Sequence, residues 1–322
     1  MAVTSGPEQG ERAGPADLAI GAFSDDAPWL VDPDAMPWRS AVPTVRSVVR
    51  RQLPTLLRPR SIPPIGRLLV VVARLGIALG GWALVEKRSG DRSRSRAGLS
   101  RRMRIAIEHL GPTFIKLAQI ISSGEGLFPE ELVTEFKKCR DRVPPEPFHT
   151  VRDVIESDLG RHLDDLFEWI DTEPLASASI AQVHAARLRT GEHVVVKVQR
   201  PSVGELVHDD LRVMSWLAPH LVGRIPVAAL ANPPALVELF AETITEELDF
   251  RAEAQNMLDV ARVFAELDQR GYVIPRPHPT LVTRRVLVME RLDGFAFDDV
   301  AGMQGAGVDT EAGVRTGIVG FM

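Results

Sequence analysis

Cysteine is almost missing from this chain: among 322 residues only Cys139 is one. A lone cysteine excludes an intramolecular disulfide, which fits a reducing compartment. No basic stretch followed by an apolar core opens the sequence, so no secretory signal peptide is expected. Residues 1–44 lack hydrophobic periodicity and are rich in Pro, Gly, Ala and Asp, and a disordered tail is expected there. Acidic residues are scarce between Arg46 and Arg104, where fifteen lysines and arginines face only Glu86 and Asp91. That local surplus of 13 leaves the rest of the chain near −18, for a net −5. This basic arm, residues 45–99, has neither interleaved aromatics nor a recognisable base-reading module, which ranks nucleic acid below other partners.

What is present is enough for a substantial core, since 45% of residues are hydrophobic. Inside the basic arm, residues 68–85 carry Arg74 as their only charge. The run is slightly shorter than the roughly 20 residues a spanning helix needs. Arg74 would cost about 2.5 to 3.5 kcal/mol near a bilayer centre. A helix lying in the interface, with arginines on anionic headgroups, explains the same residues without burying that charge. Membrane association is therefore expected over a buried soluble helix. Gly76 and Gly80 have the spacing of a helix-packing pair, a weak motif by itself.

Downstream the pattern turns helical. Ile105, Phe114, Leu117 and Ile121 recur near helical spacing, and Gly111-Pro112 should break the run. Lys116 and Gln119, three apart, share a face. Pro129 is expected to open one helix and Thr150 another that ends at Gly160, while Ser202 with Glu205 matches a capping box. Asn232-Pro233 opens a helical run expected to continue to about Leu267, with Asp249 and Glu253 on one face and Glu247 six residues before Glu253.

Between these helical stretches lies 174-PLASASIAQVHAARLRTGEHVVVKVQRP-201. Alternation in 194–198 puts Val194, Val196 and Val198 on one face and Val195 with Lys197 on the other. Thr190-Gly191 reads as a hairpin turn that would bring Ala176–Ser179 close to the strand bearing Lys197. Small side chains there would let backbone N–H groups approach an anion. A lone strand lysine is commonly an edge residue, but here an acidic helix follows, then the apolar run 286-VLVMERLDG-294. Lysine strand, acidic helix, strand and linker is the order of a kinase N-lobe.

These motifs together resemble the UbiB family, also called AarF or ADCK, of atypical kinase-like proteins. The residues carrying the resemblance are 116-KLAQ-119 with 127-LFP-129, 176-ASASIAQVH-184, Lys197, 247-ELDFRAEAQN-256 and 288-VMERLDG-294. They cover roughly residues 100 to 300. The resemblance implies an α+β fold, a protein-kinase-like N-lobe (166–294) with a helical N-terminal extension (100–165), followed at 295–322 by the start of a truncated C-lobe. It implies that the helix with Lys116 folds over the nucleotide cleft and restricts access by protein substrates. The catalytic set it implies is Lys116, Gln119, Lys197, Glu247, Asp249 and Glu253, one acid pairing with Lys197 and another with Lys116. Ala176, Ser177, Ala178, Ser179, Lys197 and Met289 would contact nucleotide, with Val288 to Leu292 as the hinge.

Two departures from the family pattern matter. Ala118 stands where the signature Lys-x-Gly-Gln has glycine, so close backbone packing there is in question. No His-Asp pair, suitably spaced Asn or Asp-Phe-Gly follows Gly294, and Asp249-Phe250 is followed by Arg251. No metal ligand is assigned within the chain. The expected cofactor is ATP or ADP with Mg2+, whose ligands belong to the C-lobe. The expected function is that of an atypical kinase or ATPase supporting quinone or isoprenoid-lipid metabolism, here a fragment without its catalytic loop. Its place would be the cytoplasmic side of a membrane, peripheral or single-pass. Partners would be nucleotide, an anionic membrane surface or isoprenoid lipid, and lipid-biosynthesis proteins. The alternative is a non-catalytic, membrane-associated pseudokinase scaffold.

Overall fold

A computed structural model describes residues 23–24, 27–32, 35–57, 64–87, 92–139, 143–222, 232–269, 271–295 and 299–321. Half of the expected tail, residues 1–22, lies outside the described residues, as do residues 25–26 and 33–34. The part from Phe23 onward is not a loose tail. Phe23, Val31, Met36 and Trp38 are buried in the main core, and a 3-10 turn at Pro37–Ala41 leads into α1 (Val42–Leu56). An irregular segment can bury side chains without any periodicity to advertise it.

The basic arm contributes α2 (Ile65–Val85) and, after Glu86, α3 (Arg92–Leu110). One side of α2, carrying Leu68, Val71, Leu75 and Ala78, packs inward, and the Trp82 indole donates to the Ser95 carbonyl at 3.0 Å. Arg67 anchors its start to buried Asp210 at 2.5 Å. Burial pushes that carboxyl above the usual aspartate range, against the pull of Arg67. The opposite side exposes Ile65, Leu69, Val72, Ile77 and Leu84.

Gly111, at φ +97, separates α3 from α4 (Pro112–Ser122), which begins on proline as the sequence predicts. Next come α5 (Glu130–Phe136), opened by Pro129, and α6 (Phe148–Leu159), closed by Gly160 in the left-handed region. The short α7 (Leu163–Leu166) runs into the sheet.

That sheet is antiparallel, with β1 (Phe167–Ile170), β2 (Ala176–Ser177), β3 (Ala181–Leu188), β4 (His193–Gln199), β5 (Pro277–Val282) and β6 (Val286–Glu290). Its order is β1-β3-β4-β6-β5, with β2 paired to β3. The β3–β4 turn passes through Gly191 at φ +111, a conformation that favours glycine. Register places Val196 beside Val288 and Lys197 beside Leu287. Val194, Val196, Val198, Val286 and Val288 therefore face α6, where Val151, Val154 and Ile155 complete one core. Leu287 and Met289 face the larger core. That core also takes in α8 (Val203–Leu221), α9 (Pro233–Glu247) and α10 (Phe250–Glu266). The chain continues through α11 (Val300–Gly305) and α12 (Thr310–Phe321), and Tyr272 donates to the Gly317 carbonyl at 2.8 Å.

Three local expectations are corrected. Ser202 does precede α8, but its side chain makes no cap hydrogen bond, so the capping box is not formed. The helical run expected from Pro233 to Leu267 is split: α9 ends at Glu247, and extended Asp249 is the N-cap of α10. Its carboxylate accepts from the Arg251 amide at 3.1 Å, an alternative to continuing the helix that aspartate readily adopts. Of the expected hinge, Val288, Met289 and Glu290 belong to β6, where Glu290 N–H donates to the Arg276 carbonyl at 2.9 Å; only Arg291 and Leu292 lie beyond the strand.

Candidate nucleotide site

Alternation along β4 turns Lys197 away from the α6 side and towards α10. Both Glu253 oxygens lie 2.7 Å from its Nζ, and the Phe250 ring centroid lies 5.0 Å away. Glu253 sits in the first turn of α10, where the helix N-terminus favours a carboxylate. The side chains of Lys197 and Glu253 remain 22% and 36% exposed. Pairs that open to water contribute about 1 kcal/mol or less. The pair is thus better understood as orienting an ammonium than as holding the fold together.

A second lysine is held in a comparable way. Lys116 on α4 meets Glu247 at 2.8 Å. Glu247 is the last residue of α9, the end of a helix that disfavours negative charge, and the Lys116 ammonium offsets that cost. The structure thereby decides between the acids: Glu253 takes Lys197 and Glu247 takes Lys116. Asp249 joins neither lysine. It is buried and chelated by Arg251 at 2.9 and 2.6 Å, so its place is structural, at the break between the two helices. Gln119 lies one turn after Lys116, half-buried, its carbonyl accepting from the Ser122 hydroxyl at 2.7 Å. Ala118 is fully buried in the main core, so the methyl group at the family's glycine position is accommodated.

The Ala-rich loop lies along β3, with Ala176 opposite Val183 and Ser177 opposite Gln182. Ala176 is exposed, Ser177 and Ala178 are half-buried and Ser179 is buried. The Ala178 amide donates to the Ala181 carbonyl at 2.8 Å. That N–H is spent inside the turn. Met289 lies on the Lys197 side of the sheet, opposite Val195. Arg200 was missed by sequence reasoning: it is 7% exposed and bonded to the Ala178 carbonyl and the Ser177 hydroxyl. The only local signal was a charged residue at the end of a buried strand.

A cavity of about 540 Å³ opens nearby, between the α3–α4 elbow (Glu108, Gly111, Pro112, Ile115) and Val143-Pro144. Neither lysine–glutamate pair lines it. Among the described residues, no group of three or more His, Cys, Asp or Glu side chains converges as metal ligands would.

Residues 138–321 match the ABC1 atypical kinase-like domain. A probable protein kinase UbiB of Aeromonas hydrophila is 37% identical over 229 residues, 70% of this chain and 42% of that protein. A chloroplastic aarF domain-containing protein kinase of Arabidopsis thaliana, itself uncharacterized, is 38% identical over 205 residues, 62% of this chain and 37% of the relative. An uncharacterized protein of Mycobacterium tuberculosis is 41% identical over 201 residues, covering 62% and 41%. The chain thus spans about two fifths of the length of these relatives.

Proposed function

Because the chain belongs to the ABC1 atypical kinase-like family, we propose that it carries the nucleotide-binding half of an atypical kinase or ATPase. Lys197 would neutralise phosphate charge of ATP or ADP, and Glu253 would hold the ammonium in place. The observation that carries this reading is the strand lysine gripped by both oxygens of a carboxylate in the first turn of the adjacent helix. An ammonium has three donors, so two contacts to Glu253 leave one for a phosphate oxygen. Nucleotide with Mg2+ is the usual cofactor of such a site, and the metal would supply charge neutralisation between the phosphates. The Ala-rich loop from Ala176 to Ser179 would lie over those phosphates, and Met289 would border the base.

Lys116, fixed by Glu247, and Gln119 would form the gate contributed by the extension, limiting which acceptors reach the nucleotide. Association with a membrane is part of the same reading. It is supported by α2, a 21-residue apolar helix only 11% buried over its most apolar stretch, with Arg74 exposed. The inward packing of α2 on the body favours a helix resting in the membrane interface. The UbiB name borne by relatives supports a role in quinone or isoprenoid-lipid metabolism for the whole protein.

Titrating the purified chain with a fluorescent ADP analogue, with and without Mg2+, tests the central part. Lys197→Ala is expected to weaken binding at least tenfold, about 1.4 kcal/mol. Equal affinity in wild type and variant would sink the reading in favour of a scaffold.

A further inference from the structure

The loop that would cover the phosphates is tied down on both sides, and one buried cation makes most of the ties. Arg200 follows β4 directly, three residues after Lys197, and is 7% exposed. Its Nε donates to the Ala178 carbonyl at 3.0 Å. Its Nη2 reaches the Ser177 hydroxyl and the Pro144 carbonyl, each at 2.9 Å, and its Nη1 meets Glu146 at 2.9 Å. Main-chain bonds run in parallel: Arg200 N–H to the Ile180 carbonyl at 3.0 Å, and Val143 N–H to the Ser177 carbonyl at 3.2 Å. The Glu146 amide also donates to the side chain of buried Gln182 on β3.

A guanidinium taken out of water is tolerated only when its donors are satisfied, and this one spreads them over two separate segments. Neither segment can move without leaving buried donors unpaired. Lysine, a single point donor on a flexible stem, cannot reproduce the planar fork. The second segment matters because of its position: Val143–Glu146 leads from α5 of the extension into α6, and Val143 and Pro144 face Gly111 and Pro112 at the start of α4 across the cavity.

We propose that Arg200 is a positioning residue that presets the Ala-rich loop over the Lys197 strand and couples it to the helical extension. A nucleoside di- or triphosphate would then meet a loop already ordered, and binding would not have to supply the ordering entropy that a flexible phosphate loop demands. The functional half of this inference rests on the nucleotide reading above; the positioning half does not.

The experiment is amide hydrogen exchange on the full chain, wild type against Arg200→Lys, paired with titration of a fluorescent ADP analogue. In wild type, peptides covering 174–182 should be protected without nucleotide and change little when ADP is added. In Arg200→Lys, exchange in 174–182 and 143–147 should rise at least tenfold while α8 and β5 stay unchanged. Affinity for the analogue should fall at least tenfold, with ADP partly restoring protection. Unchanged exchange in 174–182 would overturn the positioning role. A loosened loop with unchanged affinity would overturn its link to nucleotide. If the wild type binds no analogue although the loop is loosened in the variant, the nucleotide reading fails and the positioning role stands. Should Arg200→Lys not fold, Ser177→Ala and Glu146→Ala each remove one tie, and two- to threefold faster loop exchange is expected; no change in either would be equally decisive against it.

Discussion

The two faces of the β4–β6 sheet solve different problems. Towards α6, Val194, Val196, Val198, Val286 and Val288 meet Val151, Val154 and Ile155 in an apolar layer. Towards α10, the same strands present Lys197, Val195, Leu287 and Met289, and the lysine is kept half-exposed against Glu253 and Phe250. Alternate residues of one short strand thus separate stability from chemistry: the apolar face gains from burial, while the other accepts an ion pair of little net stability to fix an ammonium in space.

The largest effect that would sharpen this contrast is expected on the apolar face. Ile155→Ala empties a fully buried position and should cost about 2 to 5 kcal/mol in denaturant unfolding. Nucleotide affinity of the folded fraction should stay within about twofold, a change worth well under 1 kcal/mol. A collapse of affinity without loss of stability would erase the distinction between the faces.

Next in size is a pH effect at the edge strand. Burial lowers the His278 imidazole to about 4, against a weaker opposing influence of Glu192. The geometry agrees, since its Nδ1 accepts from the amides of Thr280 and Leu281 at 3.2 and 3.1 Å, bonds that need an unprotonated nitrogen. A depressed folded value means stability is intact above the unfolded histidine value near 6.5 and is lost as pH falls towards about 4. The full loss is on the order of 3 kcal/mol by linkage. Thermal melts from pH 7 to pH 4 should show it, together with a change in fluorescence of Trp29, whose ring lies 5.0 Å from His278. A His278→Asn variant with the same pH slope as wild type would assign the loss elsewhere.

Smaller in stability but larger in binding is Glu253→Gln. Unfolding free energy should change by about 1 kcal/mol or less, while affinity for the ADP analogue falls at least tenfold. The reverse pattern would make the pair a structural bridge. Least visible in the folded state should be Leu69→Ser with Ile77→Ser on the exposed side of α2. These should alter stability by about 0.5 kcal/mol or less yet reduce co-sedimentation with anionic vesicles. Undiminished sedimentation would move the membrane contact off α2.

Features set by local pattern were legible in the sequence. Period-two alternation placed Lys197, Gly191 marked the hairpin, Gly111-Pro112 the elbow before α4, and Gly160 the end of α6. What escaped depended on distant partners. The helical period runs straight through Asp249, so its use as an N-cap could not be told from a solvated acid on a continuous helix. The choice of Glu253 for Lys197 and Glu247 for Lys116 follows from how α9 and α10 are offset at that break. Arg200 lies where the strand pattern stops, and its partners at 144, 146, 177 and 178 are assembled only by folding. The packing of Phe23 and Trp38 carried no periodic signal at all.

Whether Lys197 touches nucleotide phosphate can be asked directly with an acyl-phosphate ADP probe, which transfers its acyl group to a lysine amine beside the bound phosphates and releases ADP. Peptide mapping after labelling should find Lys197 modified, with Lys116 as a secondary site, and excess unlabelled ADP should abolish both. Labelling confined to exposed lysines such as Lys87 and Lys137, insensitive to competing ADP, would contradict it.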